Sequence, residues 1–196
     1  MADSTSHVAL GVVMRARGGH LEVLLAGGAL PVAALAAGES LEAALGRAVD
    51  VAALAHVEQL ETRVLEDGSI ATAYLGLLSS EAEVDGEWRA LTGVTLPFVG
   101  AAQSRLRAKL SYTNVGFALA PETFTISELR EVYVAALGHD VSATNLQRVL
   151  VRRGVLERLD GQRAPGRAGG RPAALFRFVS NRLEVTDEFA ALRPPR

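Results

Sequence analysis

The chain has 196 residues and a mass of 20.6 kDa, a length suited to two domains of about 100 residues each. Hydrophobic residues make up 49% and charged residues 21%, with a mean hydropathy of +0.21, which excludes wholesale disorder, and the lack of cysteine excludes disulfide scaffolds, thiolate zinc sites and cysteine nucleophiles. The net charge of -2 hides a split: residues 1–100 carry 5 Arg against 13 acidic residues, whereas residues 101–196 carry 14 Arg and Lys109 against 9 acidic residues. Such a split points to two modules with different partners, and the basic half invites nucleic acid or an anionic surface.

Residues 7–16 form an apolar run with Val8, Val12 and Val13, and residues 20–26 resume it after Gly18 and Gly19. Two strands joined by a tight turn fit this pattern. Gly27, Gly28 and Pro31 then break it. Ser40 is a candidate N-cap, and Leu41, Ala44, Leu45, Ala48 and Val49 recur at helical spacing, so a helix is predicted over 41–53. Residues 56–65 alternate imperfectly, Asp67 and Gly68 make a turn, and residues 70–78 read as another strand. The first half is therefore mixed α+β and ends near Trp88 and Leu91.

The second half changes character. Residues 103–110 and 115–119 look helical. Thr125 followed by Glu128 fits a capping box, with Leu129, Val132, Tyr133 and Ala136 as the apolar stripe and Gly138 as the stop. Asp140 or Ser142 caps the next helix, whose stripe is Leu146, Val149 and Leu150 and whose end is Gly154. Residues 155–159 are β-prone, 160–172 read as a Gly/Arg/Pro loop, and 173–179 read as a strand with Phe176 and Phe178 on one side. Helix, turn, helix, strand, basic loop, strand is the order of a winged helix-turn-helix.

In that motif the second helix enters the major groove, where Asn pairs with adenine and Arg with guanine. Asn145 and Arg148 share a face, Gln147 lies near it, Thr144 is on the polar surface, and Arg152 is one turn beyond Arg148. Arg163, Arg167 and Arg171 give the loop a composition suited to tracking phosphates. These eight residues are the candidate DNA contacts, and double-stranded DNA is the expected partner. The four histidines (His7, His20, His56 and His139) are scattered, so no metal site or cofactor is implied. No apolar segment long enough for a membrane span is free of charge, and no basic flank precedes an apolar run. The expected location is the cytoplasm, with no membrane partner.

The first half carries a partial signature of Nudix hydrolases, G-x5-E-x7-R-E-U-x-E-E-x-G-U. Anchored on Glu39, its Arg falls at Arg47 and its first aliphatic at Val49. The three remaining Glu positions hold Ala48, Val51 and Ala52, which cannot bind magnesium. Further stretches extend the likeness: Leu30-Pro31 before Gly38-Glu39-Ser40-Leu41-Glu42, Val57-Glu58-Gln59-Leu60-Glu61-Thr62, Arg105-Leu106-Arg107-Ala108-Lys109-Leu110-Ser111-Tyr112-Thr113, and Phe124-Thr125-Ile126-Ser127-Glu128-Leu129-Arg130-Glu131-Val132-Tyr133. Asn145 with Arg148, and Gly170-Arg171-Pro172-Ala173 before Leu175-Phe176-Arg177-Phe178, complete it. With these residues the chain resembles the Nudix-related transcriptional regulators of NAD metabolism, the ADP-ribose-sensing repressors. It departs from the Nudix pattern in the short connection between Ala26 and Pro31 and in Val32-Ala33, where a glycine is usual.

The resemblance implies an α+β chain: a Nudix-like mixed-sheet domain at 1–102 for ligand sensing and dimerisation, and a winged helix-turn-helix domain at 103–196 that binds DNA. It implies a repressor without catalysis, a small-molecule effector such as ADP-ribose, and a homodimer on a palindromic operator. Glu39 and Arg47 are the candidate ligand-binding residues. Arg47 either holds the cleft or a ligand phosphate, or forms a salt bridge to Glu39 or Glu42. The competing reading is a Nudix-type hydrolase of a nucleoside diphosphate derivative, against which the missing carboxylates argue. A third is an interaction scaffold in which both domains only dimerise.

Overall fold

The apolar run near the start of the chain becomes an 11-residue strand, β1 (His7–Arg17), buried from Ala9 to Ala16. The computed structural model describes residues 6–164 and 172–187. Burial on both faces explains the near-continuous apolar run, since neither face needs polar residues. β1 runs parallel to β5 (Ile70–Leu78), and β5 is antiparallel to β4 (His56–Val64). β2 (His20–Leu25) lies on the other side of β1 and pairs antiparallel with β6 (Glu87–Ala90), giving the order β4-β5-β1-β2-β6. A three-residue strand, β3 (Val32–Ala34), pairs antiparallel with the start of β1. It follows Pro31, whose carbonyl accepts from the Gly11 N–H at 2.9 Å. A strand this short has no alternation to read, which is why only the break at Pro31 is visible in the sequence.

One face of the sheet carries α1 (Leu41–Ala48). Ala44, Leu45 and Val49 pack with Ala9, Val13, Leu24, Tyr74 and Leu78 in one cluster. The approach is close: a Cβ built at Gly11 would lie 2.8 Å from Val49 Cγ2. The expected helix over 41–53 is two elements. α1 stops at Ala48, Val49 is extended (φ -137°, ψ 139°), and a 3-10 turn follows over Val51–Ala53, capped by the Asp50 carboxylate on the Ala52 N–H. Asp50 and two β-branched valines favour that break over a further helical turn. The imperfect alternation of β4 also has a cause, a register shift between Gln59 and Glu61 that reverses the phase along this edge strand.

The chain separates into two units. One comprises the residues up to Arg15, Leu21–Leu78 and Ala82–Arg105; the other comprises Ala16–His20, Ser79–Glu81 and the residues from Leu106 onward. Helix α2 (Val99–Tyr112) runs through the boundary and is longer than the predicted 103–110. It begins just after Phe98, which is buried and left-handed at φ 67°.

In the second unit a 3-10 turn (Val115–Ala118) leads to α3 (Ile126–Leu137) and α4 (Ala143–Arg152). The core includes Phe124, Leu129, Tyr133, Leu146 and Leu150, all at 0% exposure, with Phe176 from the wing. The wing pairs β7 (Leu156–Arg163) with β8 (Ala173–Phe178), and Phe124 bridges to Phe176. β7 thus takes in residues 160–163, which the sequence assigns to the loop; its register shift between Arg158 and Gln162 hides the alternation. The last described residues fold back on α2: Asn114 bonds to the backbone of Arg182 and Glu184, and the Thr186 N–H reaches the Tyr112 carbonyl. Buried Arg153, at the end of α4, donates to the Ser111 carbonyl and pairs with Asp187 at 3.0 Å. Among the described residues no helix is long and apolar enough to cross a membrane.

Two glycine substitutions should act with opposite sign. Gly11→Val crowds the α1 contact and should destabilise the chain by about 1–3 kcal/mol. Gly46→Ala lies in α1 with open space around it and should stabilise by about 0.4–1 kcal/mol. Urea unfolding of both variants checks the pair.

Candidate nucleic-acid interface

The helix pair of the second unit is built from its caps inward. At α3 the Thr125 hydroxyl accepts from the Glu128 N–H, and the Glu128 carboxylate accepts from the Thr125 N–H at 2.7 Å. This is the full capping box that the spacing predicts. Gly138 ends α3 in the left-handed region at φ 74°. Between the helices, Arg130 of α3 donates through Nε to the Val141 carbonyl at 2.8 Å and pairs with Asp140. Of the two candidate caps for α4 the structure uses Ser142, whose Oγ accepts from the Asn145 N–H at 3.2 Å. The interhelical turn is therefore tied to α3 by one arginine, and the backbone of Asn145 is tied to the cap.

Packing then sorts the side chains of α4. Leu146, Val149 and Leu150 are buried. Thr144, Asn145, Gln147, Arg148 and Arg152 are all exposed. All five residues proposed from sequence for this helix thus stand on its solvent side. Asn145 and Arg148 are also in contact, with Arg148 Nη2 donating to Asn145 Oδ1 at 2.8 Å.

The wing arginines divide. Arg163 is in β7, opposite Ala173, and its guanidinium pairs with Glu128 and donates to the Thr123 carbonyl at 3.3 Å. It braces the wing against the capped start of α3. Arg167 and Arg171 lie outside the described residues. A cleft of about 470 Å3 opens between the start of α3, the α4 residues Gln147 and Val151, and the wing residues Arg158, Ala174 and Phe176. Arg158 is exposed there, and sequence reasoning missed it because it lies in β7, ahead of the Arg/Gly run. Arg130 was also missed as an organiser of the motif, since a side chain bonding to a backbone carbonyl leaves no periodic signal; Glu128 was foreseen as the capping-box residue, but its pairing with Arg163 was not.

Glu128 titrates under opposing influences. Partial burial acts to raise its pKa, while hydrogen bonds from Thr125 and Arg163 act to lower it and prevail, so the carboxyl lies below the usual range.

In the first unit Glu39 and Arg47 meet each other. Arg47 Nε and Nη2 donate to the two Glu39 oxygens at 2.9 and 2.8 Å, and Nη2 also donates to the Ala34 carbonyl. Glu39 further accepts from the Ala36 N–H at 2.9 Å. The Arg47 hydrogen bonds and that from Ala36 hold the Glu39 pKa down. The pair thus closes the connection from β3 to α1. Glu42 accepts instead from the Tyr74 hydroxyl at 3.3 Å. Val51 and Ala52 sit in the 3-10 turn, off the axis of α1.

Comparison with known proteins follows this division. Residues 116–178 match the family model described as the NrtR DNA-binding winged helix domain. The chain is 38% identical over 78 residues to the ADPR responsive transcriptional repressor NtrR of Acinetobacter baylyi; the match covers 40% of this chain and 30% of that relative's length. Over 87% of this chain and 92% of the other, the fold is similar to Shewanella oneidensis NrtR complexed with a 27mer DNA (25% identity, TM-score 0.69). It is also similar to a second structure of Shewanella oneidensis NrtR (22% identity, TM-score 0.71, 95% and 98% covered). A MutT/nudix family protein from Enterococcus faecalis shares the fold at 18% identity and TM-score 0.65, over 92% and 90% of the two chains. The architecture is thus a Nudix-like α+β fold with a C-terminal winged helix.

The two ion pairs should behave as distinct braces. Glu39→Ala and Arg47→Ala should each lower the melting temperature, and the double variant should lower it by less than the sum of the two, because the singles share one contact while each also loses a backbone bond of its own. Glu128→Gln keeps an acceptor for the capping box but loses the charge facing Arg163; it should cost no more than about 1 kcal/mol at neutral pH. Because the folded-state pKa of Glu128 is lowered, its contribution is present above its unfolded value of 4.5 and is lost as pH falls through the folded value. The melting-temperature gap between wild type and Glu128→Gln should therefore close on acidification below that range.

Proposed function

We propose that the chain is a DNA-binding transcriptional repressor whose Nudix-like unit senses a small molecule, with ADP-ribose the first candidate. The observation that carries this reading is the exposed face of α4, where five polar or basic side chains project from a helix held by a capped, arginine-braced turn. That face lies within the segment matched to a DNA-binding winged helix. Support for the effector comes from the ADPR-responsive repressor that shares 78 aligned residues with it, and support for the DNA partner from the DNA-bound relative.

The roles follow from chemistry. Asn145 and Arg148 reach base edges, with Thr144 and Gln147 beside them. Arg152, Arg167 and Arg171 neutralise phosphates, and Arg163 holds the wing at the height where such contacts form. A single winged helix reads only a short site, so a homodimer on a two-fold operator is the functional unit. The first unit has no catalytic role in this reading. Glu39 and Arg47 hold the segment before α1 and are the candidate ligand contacts. In this reading the chain acts in the cytoplasm. Release requires the effector to bind the DNA-free conformation more tightly, since equal affinity for both states shifts nothing.

Operator fragments selected from the source genome, titrated at several salt concentrations, test this. Arg152→Ala should weaken specific and random DNA alike and reduce the salt slope by about one. Asn145→Ala should cost about 1–3 kcal/mol on the operator and little on random DNA. ADP-ribose should bind by calorimetry and lower operator affinity. If ADP-ribose, NAD and common sugar phosphates neither bind nor alter operator affinity, the sensing role is abandoned for dimerisation alone. Light scattering that finds only monomer with and without DNA overturns the dimer.

A further inference from the structure

Asn145 and Arg148 stand three residues apart on the exposed side of α4, and Arg148 Nη2 donates to Asn145 Oδ1 at 2.8 Å. A guanidinium has donors and no acceptor. The bond therefore fixes the amide, with its oxygen toward Arg148 and its Nδ2 hydrogens directed away. The Asn145 backbone is itself held by the Ser142 cap, so the pair is anchored in the first turn of the helix. What the two side chains present together is mostly N–H: the Asn145 amide hydrogens and the guanidinium hydrogens not spent on the bond, with the second Oδ1 lone pair left beside the cation.

Major-groove edges differ in what such a surface meets. Adenine shows the N7 acceptor beside the N6 donor, whereas guanine shows two acceptors, N7 and O6. A free Asn reads adenine by offering its oxygen and an N–H at once. With that oxygen already facing a cation, an adenine N6–H would have to approach alongside the guanidinium, donor against donor. A guanine edge meets no such conflict, because both of its groups accept.

We infer that Asn145 and Arg148 act as one donor-rich unit that selects guanine, and that Asn145 does not read adenine on its own while Arg148 stands beside its oxygen. This rests on the DNA-binding reading above and adds the identity of the base read. Arg148 then has two roles: it donates to the base, and it sets what Asn145 can donate to.

Selection of duplexes from a randomised pool by the full-length protein, by Arg148→Ala and by Asn145→Ala tests the inference. The wild-type chain should fix guanine at one position. Arg148→Ala should turn that position to adenine, because the amide oxygen is released. Asn145→Ala should keep guanine there with a relaxed preference. In the wild-type site, 7-deazaguanine, which lacks the N7 acceptor, should lower affinity about five- to tenfold. Adenine fixed by the wild-type chain at the position that Asn145→Ala relaxes overturns the inference, as does a guanine preference unchanged in Arg148→Ala. A wild-type chain that retains no duplex at any salt concentration overturns the DNA-binding reading itself, so the two failures are told apart.

Discussion

The carboxylate of Glu128 joins two elements of the second unit, the capped start of α3 and the wing. It closes the capping box at the start of α3 by accepting from the Thr125 N–H, and it receives the guanidinium of Arg163 at the end of β7. Arg163 adds the Thr123 carbonyl, so the wing is fixed to the segment just before α3. An exposed ion pair contributes little free energy by itself. Its importance is geometric, because the wing hairpin is short and stands on few core residues.

The same economy appears at the helix turn. Arg130 spans from α3 to the Val141 carbonyl and Asp140, and Ser142 then sets the first turn of α4. Polar side chains thus supply the positional precision, while Leu129, Leu146 and Leu150 supply the burial. At the other end of α4, Arg153 is buried against Ser111 and Asp187. A buried arginine is costly unless it is paired, and the contacts of its Nε and Nη2 draw the segment after the wing onto α2, while its Nη1 has no hydrogen-bond partner among the described residues.

In the first unit the Glu39–Arg47 pair has the positions of a catalytic signature and the geometry of a staple. Its hydrogen bonds go to each other, to the Ala36 N–H and to the Ala34 carbonyl. Two charged residues can survive in such a frame because they shape the chain before α1, whatever stands at the positions where the signature has its metal-binding carboxylates. The break at Val49 bears on the same point, since Val51 and Ala52 do not continue the face of α1.

Much of this was legible in the residues themselves. The capping box, the Gly138 stop and the stripe Leu146, Val149 and Leu150 are local patterns, and local hydrogen bonding and helical periodicity enforce them in the chain as folded. The polar face of α4 was legible for the same reason: once the stripe is buried, the remaining side chains have only solvent to face. Elements with no period of their own were decided elsewhere. β3 exists because β1 offers it an edge, the extended Val49 after α1 is seated against the sheet at Gly11, and the phase of β4 changes at a bulge its neighbour accommodates. The role of Arg163 was likewise undecided in the sequence, where an arginine near a basic loop reads as a phosphate contact. Its partner, Glu128, lies 35 residues earlier, and only tertiary folding brings a charge from that distance close enough to claim it.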